Sequence, residues 1–382
     1  TGYPGRTNRY RTASEVENQF EWAYPEAKML RERFIKIINE TAEEGSDERI
    51  KYESLLAGLA NYAKNFTSMI EFYAKSPMLA DRKSRENDLA DWISKDTQRQ
   101  EQYGKTLAML DELIAEGQED QARDIILGYI RYTTMLPTAR RLYRLANEKS
   151  LADIDREPGY QQRDMIRFKS SMERIDRRYA ASVDKALLLE MLKRYAVLPQ
   201  NERIDALDKV FGLGTVLNEA RLSRILDRMY ARTTLGDMDS RLAWLEKSVE
   251  DFKLSKDPFI KFAVAMYDTD MQQEKKSKAL SGKLMKVRPQ YMQAIIAFNR
   301  DQGKPVYADA NSSLRVAVGH AKGYAPEDGL RAEPFTRLEG ILAKDTGINP
   351  FESPSKQLEL IKQKQYGDFY VKSIDSVPVN FL

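Results

Sequence analysis

The sequence predicts a mainly α protein, in which an irregular helical domain interrupts a small β unit. Three observations carry this. From Ser14 to about Asn299, apolar residues recur three or four apart with charged residues between them and few Gly or Pro. After Asn299 the chain turns to short Val- and Tyr-rich stretches. The opening "TGYPGRTNRYRT" and the closing "SVPVNFL" both read as strand ends, so both ends belong to one sheet. The expected boundaries are 1–13 for a strand and connector, 14–303 for the helical domain and 304–382 for the rest of the β unit.

Within the helical block, Leu55 to Tyr73 is the best-defined helix. Leu55, Leu59, Tyr62, Phe66, Met69 and Tyr73 form one apolar face, opposed by a small polar row of Asn61, Asn65 and Ser68. Pro77 disfavours helical geometry at Ser76 and ends it. The spacing places Tyr62 and Phe66 in the core.

Further helices are expected over Gln118–Tyr132, with Ala122, Ile125, Ile126 and Tyr129 inward, over a long Gln161–Tyr195 segment and over Glu202–Phe211. "EPGY" at 157–160, "LPQN" at 198–201 and "FGLG" at 211–214 mark loops between antiparallel neighbours. Asp239 or Ser240 is a candidate N-cap, and Asp257 before Pro258 is the favoured order of cap and first turn. No fixed period indicates a solenoid.

In the tail, Pro305–Ala308 and Leu314–His320 read as strands, Pro334–Ala343 as a short helix, and "SVPVNFL" as a half-buried strand with no polar tail after it. This is too little sheet to be stable alone. The chain therefore reads as a piece of a larger protein, with a sticky edge along "VPVNFL".

Composition narrows the function classes. The 382 residues are 42% hydrophobic and 31% charged, with 61 Lys and Arg against 58 Asp and Glu. The interspersed net charge of +3 lacks the basic stripe of a nucleic-acid binder. With no cysteine and a single histidine, His320, thiolate and histidine-rich metal sites are excluded, and no metal or cofactor is expected. "DTDMQQE" at 268–274 lacks the glycine and closing glutamate of a calcium loop. No run approaches the ~20 apolar residues of a membrane span, and no signal segment opens the chain. The mixed charge runs at 81–88 and 155–164 read as solvated.

Six stretches resemble the S46 family of bacterial serine dipeptidyl aminopeptidases. They are "GYPGRTNRY" from Gly2, "SLLAGLANYAKN" around Asn61, "DPFIKFA" from Asp257, "YADANSSLRVAVGHAKGY" from Tyr307, "PFTRLEGILAKD" from Pro334 and "SVPVNFL". They stand in the family's order and span the chain.

The resemblance implies a chymotrypsin-like double β-barrel with a helical domain inserted as a cap over the cleft. The chain would then hold the cap and part of the second barrel, truncated before the nucleophile turn. It implies removal of dipeptides from the free N-terminus of peptides. Acyl transfer of this kind needs a serine, a histidine and a carboxylate in hydrogen-bond sequence, and the resemblance puts all three outside these residues. His320, in "AVGHAKG", does not match the catalytic position, so the chain alone should be inactive.

For the substrate's α-ammonium, the resemblance points first to Asn61 and second to Asn65. Gly2 to Tyr10 is assigned to structure, with Arg6 and Arg9 pairing to carboxylates. The family also implies peptide substrates, a homodimeric parent and a periplasmic or surface location in a Gram-negative bacterium. It leaves the choice between acidic and hydrophobic side chains open. The alternatives are a triad-less helical binding module and an unrelated helical adaptor.

Overall fold

A computed structural model of the chain describes residues 2–214 and 216–380. The protein is mainly α. It divides into two units, Asn8–Ala308 on one hand and Thr1–Thr7 with Asp309–Leu382 on the other. The larger unit is therefore inserted in sequence between the two parts of the smaller.

The larger unit comprises α1 (Ala13–Asn18), α2 (Tyr24–Thr41), α3 (Asp47–Lys75), α4 (Met78–Ser94), α5 (Thr97–Tyr103), α6 (Thr106–Gln118), α7 (Gln121–Ile130) and α8 (Met135–Glu148). It continues through α9 (Met165–Glu173), α10 (Ala181–Ala196), α11 (Asp205–Phe211), α12 (Glu219–Arg232), α13 (Met238–Ala243), α14 (Val249–Leu254) and α15 (Pro258–Asp301).

Thr12 and Glu15 open α1 with a reciprocal capping box. A π-helical turn, Gln19–Ala23, joins α1 to α2, with Tyr24 N–H donating to Gln19 O five residues back. Pro25 lies at the start of α2 and has no N–H to give to the preceding turn, so a wider turn is accommodated there.

Two cores form. The main one buries Leu30, Phe34 and Ile38 of α2, Leu142 of α8, Leu187, Leu188 and Met191 of α10, and Phe259, Phe262 and Met266 of α15. The second gathers Leu89 and Ile93 of α4, Leu110 and Ile114 of α6, and Val287, Tyr291 and Ala294 of α15. Between these patches, from Tyr267 to Lys286, no residue of α15 is buried. Ion pairs line that stretch instead: Asp270 with Arg140, Glu274 with Arg144, Lys276 with Asp120 and Lys283 with Glu116. The acidic "DTDMQQE" is thus helical and committed to neighbours.

Asp257 caps α15 as expected: its Oδ1 accepts from Phe259 N at 2.9 Å and Ile260 N at 3.3 Å, with Pro258 in the first turn. Gly212 closes α11 at φ 61°, which glycine adopts without steric cost.

Several expectations are corrected. The helix over Gln161–Tyr195 is broken by a 3₁₀ turn at Arg174–Arg177 before α10 begins. The helix expected from Gln118 starts at Gln121, because α6 runs to Gln118; the one expected from Glu202 starts at Asp205. The cap of α13 is Asp237, whose carboxylate accepts from Ser240 N, rather than Asp239 or Ser240.

In the smaller unit, β1 (Thr336–Arg337) pairs antiparallel with β2 (Pro378–Val379), in register Thr336 to Val379. Two short helices, α16 (Gly340–Lys344) and α17 (Ser355–Lys362), lie between them. The helix expected over Pro334–Ala343 thus starts later, after a strand, and α17 has no counterpart in the sequence reading.

Pro305–Ala308 and Leu314–His320 are not strands; among the described residues the latter makes one bridge, Arg315 to Gly2. Thr7 secures the same ends by donating to Asp309 Oδ1 at 2.7 Å and accepting from Ala310 N at 2.9 Å. Glu339 accepts from the Ser376 and Tyr366 hydroxyls, and these bonds hold its carboxyl below the usual range. Phe381 and Leu382, the end of the expected last strand, lie outside the described residues.

Candidate functional site

The hairpin of α2 and α3 presents the residues singled out for amine recognition. Ser46 Oγ accepts from Arg49 N at 3.1 Å and fixes the start of α3. Tyr52, Leu56, Leu59 and Ala63 then face the interior, which sets the rotation of the whole helix.

Asn61 and Asn65 consequently face solvent, one turn apart on one row. Among the described residues, no hydrogen bond engages either side-chain amide. Each keeps an oxygen that can accept from an ammonium group.

Tyr62 corrects the sequence reading, since it is 55% exposed and Phe66 is half-buried. Tyr62 lies one helical position from the inward face of Leu59 and Ala63. Both rings belong to a ladder between the two helices. Tyr24 stacks on Phe66 at 4.8 Å between centroids, Phe20 stacks on Tyr73 at 4.6 Å, and Phe20 meets Tyr24 edge-on at 5.2 Å. The π-helical turn carries Phe20 into this ladder. Tyr73 donates to Glu21 Oε1 at 3.0 Å; burial first, and then this carboxylate, push its hydroxyl up to about 12.

Arg31 of α2 lies over three rings: Phe66 at 4.8 Å, Tyr62 at 5.3 Å and Tyr129 at 5.4 Å. Its Nη1 donates to Ala27 O at 3.0 Å and to the Tyr129 hydroxyl, while its buried Nε has no acceptor among the described residues. Sequence reasoning missed this residue. Its signal, an arginine on α2 facing aromatic positions of α3, needed the helix pairing to be visible.

The arrangement combines unengaged amide oxygens with an aromatic border. Among the described residues, no group of three His, Asp or Glu side chains could hold a metal ion. His320 is exposed in irregular backbone. Arg6 is exposed as well. Among the described residues, no helix is long and apolar enough to cross a membrane.

The chain is 38% identical, over 402 aligned residues, to the Asp/Glu-specific dipeptidyl-peptidase of Shewanella putrefaciens, covering 100% of the chain and 54% of that protein. It is 26% identical to the dipeptidyl-peptidase 7 of Porphyromonas endodontalis, covering 97% of the chain and 44% of that protein. The chain spans about half the length of these curated relatives.

Among solved structures, the DPP11 of Porphyromonas endodontalis matches with a TM-score of 0.66 at 18% identity, over 100% of the chain and 53% of that structure. Its complex with the dipeptide Arg-Asp also gives 0.66, at 19% identity and the same coverage. At such identities the likeness concerns the fold alone. The family model for peptidase S46 matches residues 1–382, so every helix and strand described above falls within it, and the chain belongs to the peptidase S46 family.

Proposed function

We propose that this chain is the helical portion, with part of the second barrel, of a serine exopeptidase that removes dipeptides from the free N-terminus of peptides. In this reading the helical unit covers the cleft, and Asn61, assisted by Asn65, accepts from the substrate's α-ammonium group. The observation that carries the reading is the pair of unengaged amides, one turn apart on the exposed row of α3. An ammonium has three donors and needs such acceptors.

The nucleophile, base and carboxylate would come from outside these residues. The protein would work in the periplasm or at the cell surface, as a homodimer. The relative at 38% identity is named Asp/Glu-specific, which favours acidic side chains in the released dipeptide.

Kinetics on the whole protein that contains this chain test the assignment. Asn61→Ala should lower kcat/KM at least tenfold for dipeptidyl substrates with a free amine, Asn65→Ala less, and neither should change the fold. Unchanged kcat/KM in the double variant would remove both residues from substrate binding. A preference for leucine over aspartate substrates would overturn the acidic assignment alone.

A further inference from the structure

We propose that the helical unit holds an additional binding site, for a small monocarboxylate with an aromatic or aliphatic body, in the cavity between α4 and the C-terminal part of α15. The cavity has a volume of about 510 Å³, within the range of small-molecule sites. One wall is apolar, built from Leu89, Tyr291, Ile295 and Phe298. The polar wall brings Arg82, Arg85 and Lys304 against two carboxylates, Glu86 and Asp88.

Glu86 is already committed, since its Oε1 accepts from Ala13 N at 2.7 Å. Arg82 uses Nη1 on Arg9 O at 2.5 Å and its charge also acts on Glu86, whereas Lys304 bonds the neutral Gln302 Oε1. Among the described residues, no hydrogen bond or ion pair engages the Arg85 guanidinium, whose planar fork matches a carboxylate in bidentate fashion. The excess of cations selects an anion, and the apolar wall requires that it carry a hydrophobic body.

Tyr10 and Tyr307 also line the cavity, and the Tyr10 hydroxyl donates to Tyr307 O at 2.5 Å. A bound carboxylate would therefore rest against the two segments by which the chain enters and leaves the helical unit. Occupancy should raise the melting temperature of that unit.

The test is calorimetric titration of the whole protein with N-acetylphenylalanine, which has no free α-amine to offer Asn61. Saturable binding is expected, with at least a tenfold loss for the uncharged amide of the same compound. Arg85→Ala should weaken binding at least tenfold and Arg85→Lys less. Arg85 is exposed, so both variants should fold, and thermal denaturation checks this. Ile295→Phe should occlude the cavity and abolish binding. Equal affinity for acid and amide, no saturable binding, or an affinity unchanged by Arg85→Ala would overturn the proposal.

Discussion

Asp184 of α10 accepts a hydrogen bond from the Tyr230 hydroxyl of α12 at 2.7 Å while its carboxylate also receives the N–H groups of Thr134, at 2.5 Å, and Met135, at 3.2 Å. A fully buried acid thus serves as the N-cap of α8 from another helix, satisfying donors that the start of α8 leaves open. Asp184→Ala should cost about 2–4 kcal/mol, combining a lost cap with an unpaired buried hydroxyl; urea denaturation measures it. Burial is the largest influence on this carboxyl and raises its pKa despite the three bonds. Protons are then held more tightly in the folded state, and stability falls as pH rises above the unfolded value of ~3.9. The melting-temperature difference between Asp184→Asn and the unaltered protein should therefore shift toward the variant as pH rises above about 4. A constant difference would contradict this.

Arg241 is wholly buried, and carbonyls surround its guanidinium: Met172 O at 3.0 Å, Leu235 O at 2.7 Å and Gly236 O at 3.2 Å, with Asp176 Oδ1 at 2.6 Å. Removing it strands several acceptors at once. Arg241→Ala should destabilise by about 3 kcal/mol or more. Arg241→Met should rescue little, because it restores volume without donors. A full rescue by Met, read from denaturation midpoints, would show that packing outweighs hydrogen bonding at this position.

Glu15 joins the start of α1 to α15 through Arg288, with Oε1 to Nη2 at 2.5 Å and Oε2 to Nη1 at 3.2 Å. Burial pushes its carboxyl up, but the bonds from Arg288 and the Thr12 N–H, with the charges of Arg288 and Arg11, outweigh that and leave it lowered. Its stabilising effect is present above the unfolded value of ~4.3 and is lost as pH falls through the lowered folded value. Glu15→Gln keeps a capping-box side chain but discards the charge. The stability gap between the two proteins should shrink between about pH 5 and about pH 3 in thermal melts.

These contacts also explain what is legible in the sequence. The helical character of the block, the inward Leu59 and the Asp257–Pro258 cap follow from local periodicity and capping chemistry, and the structure has all three. The break after α9 does not, because no Gly or Pro marks it. The Met172 carbonyl near the end of α9 is satisfied by Arg241, 69 residues away, so the signal is tertiary.

Tyr62 departs from its expected place for a related reason. Its spacing fits the apolar face, but which part of that face turns inward is set by α2. Val316 and Val318 alternate like a strand, yet Val318 is 94% exposed, and the only pairing described nearby is Arg315 with Gly2. Alternation alone does not supply a partner strand. The amide pair at Asn61 and Asn65 is legible as a polar row, whereas the Arg31 shelf beside it is not.

The 44 residues of α15 make a rod about 66 Å long at 1.5 Å per residue, anchored in the main core at one end and in the second core toward the other. Ion pairs guide its middle without burying it. Pro289 lies inside the helix, so the lever is the part ahead of it, where a tilt of about one degree at the Phe259 end moves the turn at Val287 by about 0.7 Å by the same geometry. A change in side-chain volume around Phe262 should thus be felt at the cavity beside Tyr291, although no residue of the two cores is shared.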